Sequence, residues 1–135
     1  MKTLLIIKQS AILLFFSLLS FTVSAGGPYD GVWELIVPGI SGLYGSLHQS
    51  GDTLVLIGLD DNDEDGAWHA YAGLMQGSEA ELSTVISGHN TSIVYHAEFT
   101  SLTTGILTSL SCSPVSICET MELPNNVSFE FVKIF

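Results

Sequence analysis

Residues 91–100 read TSIVYHAEFT. Ile93, Tyr95, Ala97 and Phe99 share one parity; Ser92, Val94, His96, Glu98 and Thr100 share the other. Successive side chains of a strand point to opposite faces, so this is the period of a half-buried β-strand and not of a helix. The same alternation returns near the end, where Val127, Phe129 and Phe131 oppose Ser128 and Glu130. Between these two stretches and upstream of them, runs rich in Val, Ile, Thr, Tyr, Phe and Trp predict strands over 31–37, 43–50, 53–59, 68–75, 79–87, 91–100, 105–112 and 127–135. Turn chemistry separates them. Pro38-Gly39 and Ser41-Gly42 bend the first connection, Gly51-Asp52 is a two-residue hairpin signal, and Gln76-Gly77-Ser78 and Gly88-His89-Asn90 are short glycine turns. No stretch of residues 26–135 repeats apolar residues at i, i+3, i+4, i+7 over three turns. The expectation is an all-β fold, an antiparallel up-and-down meander of about eight strands. Such a meander closes most economically into a small barrel, because closure removes exposed edges; a two-sheet β-sandwich is the alternative. Residues 118–123 (CETMEL) fit either an extra short strand or part of a long connection.

The first 25 residues have a different character. Lys2 and Lys8 precede an eleven-residue apolar run, Ala11–Phe21, and Val23-Ser24-Ala25 offers a small-residue cleavage site. This pattern reads as a secretory signal peptide over 1–25, too short in its apolar run for the roughly 20 residues that cross a bilayer. Residues 26–135 are then one domain in a secreted or periplasmic protein.

Charge excludes whole classes of partner. Residues 26–135 hold one cation, Lys133, and all fourteen Asp and Glu of the chain, a formal −13. Tracking phosphates on nucleic acid requires many Lys and Arg, and so does adsorption to anionic lipid. Neither a nucleic acid nor an anionic membrane surface is an expected partner. A small ligand or a protein is.

The acidic charge concentrates at Asp60-Asp61-Asn62-Asp63-Glu64-Asp65-Gly66, between the third and fourth strands. Asp61, Asp63 and Asp65 followed by Gly66 match the first half of a calcium loop, in which hard oxygens at alternate positions converge on one cation. The twelfth position is Ala72 and not Glu, so the loop is not an EF-hand. The three aspartates are candidate ligands of a non-EF calcium loop; a solvated acidic hairpin tip is the other reading.

Cys112 and Cys118 are the two cysteines of the chain. An even pair this close, in an oxidising compartment, predicts one small-loop disulfide. Zinc would need more thiols or a paired His motif. His48, His69 and His96 fall in separate predicted strands and His89 in a turn, so a shared metal would need the fold to converge them. There is no G-x-S-x-G, no H-E-x-x-H and no glycine-rich phosphate loop, and His96-x-Glu98 lacks the P-C-x-x-C partner of zinc deaminases. Paired carboxylates such as Glu79 and Glu81, or Glu119 and Glu122, carry no further catalytic context. No enzyme is expected; an enzyme with an unrecognised site is an alternative. Trp33 and Trp68, with Tyr44 and Tyr71, either line a ligand cavity or fill the barrel core. In a meander the connections 38–42, 60–67, 88–90 and 113–117 share one rim, and that rim is where a site is expected.

Gly31-Val32-Trp33 opening the first strand, followed by a short-hairpin meander, resembles the start of avidin-like and lipocalin-like barrels, which implies the barrel architecture. The run Leu47-His48-Gln49-Ser50-Gly51-Asp52-Thr53-Leu54-Val55, with the closing Lys133-Ile134-Phe135, resembles small secreted bacterial proteins of unassigned function and implies no activity. Phe135 with Phe131, Phe129 and Val127 resembles the last strand of bacterial outer-membrane barrels. A small outer-membrane barrel is therefore an alternative, although Lys133 interrupts that face and strands of seven to ten residues fall short of the 9–11 that span a bilayer. The leading expectation is a non-catalytic binding or assembly module, calcium-responsive through Asp61, Asp63 and Asp65.

Overall fold

The computed structural model describes residues 26–60, 68–120 and 125–135. Eight strands follow in chain order: β1 (Gly31–Ile36), β2 (Leu43–Ser50), β3 (Thr53–Asp60), β4 (Trp68–Gln76), β5 (Glu79–Ser87), β6 (Ser92–Phe99), β7 (Thr104–Ser113) and β8 (Ser128–Lys133). Each pairs antiparallel with the next, and β8 pairs with β1 to close the barrel. The expected closed meander is the observed fold, and the sandwich is not.

The hairpins show why these turns form. Ser50 pairs with Thr53 across Gly51-Asp52, and Gln76 pairs with Glu79 across Gly77-Ser78. Gly51 and Gly77 have φ of 59° and 69°, the left-handed region where a side chain is strained.

The alternation read in β6 holds. Ile93, Tyr95, Ala97 and Phe99 are buried, and the register carries this parity around the barrel. Trp33, Leu47, Leu54, Tyr71, Leu82, Leu107 and Phe131 form the same core. Two register shifts change the parity. An extra residue, Val85, lies between the pairs Tyr71–Thr84 and Ala70–Ile86. A second, Leu110, lies between Tyr95–Ser109 and Val94–Ser111. Each bulge puts two residues against one, so positions beyond it switch face. Ser87 and Cys112 thereby join the inner side.

One end of the barrel is plugged by aromatic rings. Trp33, 2% exposed, lies 4.9 Å from the Phe131 ring and 5.7 Å from the Phe99 ring, and Phe99 and Phe131 are 5.3 Å apart. Tyr29 stacks on Phe99 at 3.8 Å, and its carbonyl accepts the Trp33 Nε1–H at 3.0 Å. Lys133 Nζ sits 6.0 Å from the Trp33 ring. Room for this plug comes from Gly105, where a Cβ would collide with the Phe131 ring.

After β7 the chain forms a short helix, α1 (Val115–Thr120), so residues 118–120 are helical and not an extra strand; residues 121–123 lie outside the described residues. The N–H groups of Ile117 and Cys118 both donate to the Pro114 carbonyl. Cys118 is bonded to Cys112, with Cα atoms 5.9 Å apart, and both are buried. The predicted staple thus ties α1 to the end opposite the plug. Closing a loop of about seven residues restricts the unfolded chain by about 2 kcal/mol. Reduction, or Cys118→Ser, is expected to lower the thermal midpoint by roughly 8 °C. Superimposable melts with and without reductant would contradict a closed pair.

Candidate ligand-binding mouth

The end opposite the aromatic plug is lined by hydroxyl, phenol and imidazole groups. β4 supplies His69 and Tyr71, β5 supplies Ser87, β6 supplies Tyr95, and β7 supplies Ser109; Thr91 immediately precedes β6. All but Ser87 are at least nine-tenths buried, and Ser87 is half-buried.

Ser87 Oγ is a hub. It lies 3.2 Å from His69 Nδ1 and 2.6 Å from Thr91 Oγ1, and it accepts the backbone N–H groups of Thr91 at 3.1 Å and His89 at 3.3 Å. These bonds fold the 88–90 turn, in which Asn90 takes φ of 54°, and bring His89 to 5.5 Å from His69, ring to ring. Just below, the β5–β6 ladder ends at Ser83–Val94. Thr84 Oγ1 replaces it by accepting the Ile93 N–H at 2.7 Å and donating to the Ile93 carbonyl at 3.0 Å. Side chains, not backbone, hold these two strands together at the mouth.

Deeper in, the Tyr71 and Tyr95 rings meet edge to face at 5.1 Å. The two phenols also interact by hydrogen bonding. Burial is the main cause that raises both phenols above the ordinary value. For Tyr71 the neighbouring Tyr95 adds to the rise. For Tyr95 the hydrogen bond offsets part of it, leaving a pKa of about 12. Both therefore stay neutral hydrogen-bonding groups at any ordinary pH.

Ser109 is 0% exposed and pairs across the sheet with Tyr95. Its Oγ has no hydrogen-bond partner among the described residues, a state it shares with Gln49 Oε1 toward the plugged end. A buried hydroxyl without a partner costs about 1–3 kcal/mol, so it calls for an explanation. Gly58, paired with His69 across β3–β4, also lies here, and a Cβ added to it would meet no described atom within 4 Å.

The sequence-predicted residues divide as follows. Asp61, Asp63 and Asp65 lie outside the described residues, and so does Glu122; β3 ends and β4 begins at this same rim. Of the four aromatic candidates, Trp33 fills the plug and Tyr71 lines the mouth, whereas Trp68 and Tyr44 are on the outer surface, 45% and 41% exposed. His48 and His96 face outward, so three strand imidazoles do not converge. His48 Nε2 bonds Ser46 Oγ at 2.8 Å, and His96 Nε2 lies 3.8 Å from Glu79 Oε2. His69 turns inward and meets His89 instead. Glu81 and Glu119 are exposed. Among the described residues no group of three or more His, Cys, Asp and Glu is placed to hold a metal. Sequence reasoning missed Ser87, Thr91, Tyr95 and Ser109 as site residues. Strict alternation past the bulges puts Ser87 on the outer face, and the available signal was the pair Val85-Ile86, two apolar residues in succession within an alternating strand. No family model matches the chain, and no curated protein or solved structure is significantly similar to it.

Proposed function

We propose that the protein is a secreted or periplasmic binding module that takes a small, neutral, hydrogen-bonding ligand at the polar mouth of its barrel, and that it binds rather than catalyses. The observation that carries this reading is Ser109, a buried hydroxyl without a hydrogen-bond partner among the described residues, in the sheet next to a neutral tyrosine pair. Charge sets the ligand class. The one Lys or Arg of residues 26–135, Lys133, lies at the other end over Trp33, so an anion would find no permanent counter-charge among the described mouth residues. The D-x-D-x-D-G spacing of residues 61–66, joined to strand ends at the same rim, supports calcium as an accessory to this module. A lipid-facing barrel is disfavoured. Its outer band would have to be apolar, yet Glu34, Glu81, Glu98 and Glu130 stand at outward strand positions while the inner face is the apolar one.

The test is Ser109→Ala together with an NMR-detected screen of neutral polar fragments against the labelled protein. Stability is expected to hold or rise by about 1 kcal/mol, because an unpaired buried hydroxyl is removed. Fragment affinity is expected to fall about tenfold, the worth of one hydrogen bond to a buried group. Shifted amides should cluster at Ser87, Thr91, Tyr95 and Ser109. Hits confined to the outer surface, or hits at the mouth with unchanged affinity in Ser109→Ala, would overturn the reading.

A further inference from the structure

We infer that residues 26–30 are built to receive a cut chain end. Proteolysis of the Ala25–Gly26 bond leaves the Gly26 α-ammonium beside the Asp30 carboxylate, and that ion pair pins the segment that carries the aromatic plug. The inference rests on the export part of the proposed function, because it needs residues 1–25 to be removed as a signal peptide.

Four observations carry it. The first is proximity. A Cβ built on Gly26 would stand 2.5 Å from Asp30 Oδ2. The Gly26 nitrogen hangs on the same Cα, which puts it within about 5 Å of that oxygen. The second is that the carboxylate is already held. Asp30 Oδ1 accepts the Gln49 backbone N–H from β2. The Asp30 N–H donates to the Gly27 carbonyl at 3.1 Å, closing a turn with Pro28 at its second position. An exposed ion pair gains little when two long side chains must be ordered to make it. Here neither partner is a long side chain, and backbone bonds fix the acceptor. The third is a further acceptor. Gln49 Oε1 is buried and has no hydrogen-bond partner among the described residues, and a Cβ on Gly27 would stand 2.8 Å from it. An ammonium offers three donors where the uncut chain offers one amide N–H. The fourth is charge. Residues 26–135 set fourteen Asp and Glu against one Lys, so the new chain end is the second ammonium of the processed chain.

The bond change is a hydrolysis, made by a leader peptidase of the exporting cell. Water adds across Ala25–Gly26. The Ala25 carbonyl leaves as a carboxylate on the released segment, and its proton goes to the Gly26 amine, which becomes an ammonium. Before the cut that nitrogen is a neutral amide and gives Asp30 no counter-charge. Between the two partners of the pair, Tyr29 stacks on Phe99 at 3.8 Å and its carbonyl holds the Trp33 N–H. Processing therefore tightens the plugged end of the barrel.

The experiment is export of the full-length chain in a bacterial host, followed by the intact mass and the thermal midpoint of the processed protein at neutral pH and low salt. The mass is expected to begin at Gly26. Inserting Gly-Ser between Ala25 and Gly26 moves the chain end about 7 Å upstream. This insertion is expected to lower the midpoint by about 2–4 °C. Asp30→Asn keeps an acceptor for the Gln49 N–H and removes the charge, and it should lower the midpoint by a similar amount. In the Asp30→Asn background the insertion should have no further effect, an outcome that a merely steric role of the insertion would not give. A mass that begins elsewhere would overturn the proposal together with the export reading. A mass beginning at Gly26 would leave export standing, and the proposal alone would fall if the insertion left the midpoint unchanged or lowered it equally in Asp30→Asn.

Discussion

Trp33→Ala is expected to cost about 3–5 kcal/mol, the range for removing a large aromatic side chain from a core. At roughly 4 °C per kcal/mol for a domain of this size, the thermal midpoint should fall by about 12–20 °C. The argument rests on what the ring touches. Phe99 and Phe131 pack on it from strands β6 and β8, and its N–H is held by Tyr29. β1, β6 and β8 therefore share one plug, and β1–β8 is the pairing that closes the barrel. Losing the ring leaves a cavity at the seam. Trp68→Ala is the matched control. That indole is on the outer face, 45% exposed, and its loss should cost less than about 1 kcal/mol. Chemical denaturation of the two variants side by side settles the point. Equal losses would mean that Trp33 does not plug the barrel.

The contrast between these two tryptophans shows where sequence reading stops. Both lie in alternating strands and both were candidates for core or cavity. Parity separates them only once the register is fixed. Trp33 pairs with Gly45 and Lys133, inner positions, whereas Trp68 pairs with Leu59 on the outer parity. The strands themselves were legible because alternation and turn residues are local. β2 and β5 have the predicted bounds, and the other strands differ by one or two residues at an end. The barrel was legible one step further, since eight hairpin-linked strands must dispose of two edges. The mouth was not. Ser87 reaches the inner face through a bulge at Val85, and a bulge is one extra residue with no strong local signature. Ser109 looks like any polar strand position in sequence; its isolation is a property of its neighbours on β6 and of the 126–127 segment, whose backbone meets its own. The short helix α1 was missed because six residues are too few to show a helical period.

The second large effect lies at alkaline pH. An unfolded tyrosine releases its proton near pH 10. In the folded barrel the Tyr95 phenol is held up to about 12, and the Tyr71 phenol higher still. Above pH 10 the unfolded chain therefore binds fewer protons than the native one, and stability must fall as pH rises. The stabilisation is fully present below pH 10 and is lost as pH climbs through the folded values. Two such groups give a limiting slope of about 3 kcal/mol per pH unit, so on the order of 5 kcal/mol is gone by pH 12. That is a large part of the 5–15 kcal/mol typical of a domain. The expected result is a steep alkaline limb in denaturant-measured stability that flattens in the Tyr71→Phe, Tyr95→Phe double variant. Phenolate absorbance should show two groups that ionise only as the barrel unfolds. Reversible ionisation of every phenol near pH 10 in folded protein would contradict the buried pair. The same measurement bears on the mouth. A pair that cannot ionise offers a ligand a neutral donor at every physiological pH, which is the property a site built without cations needs.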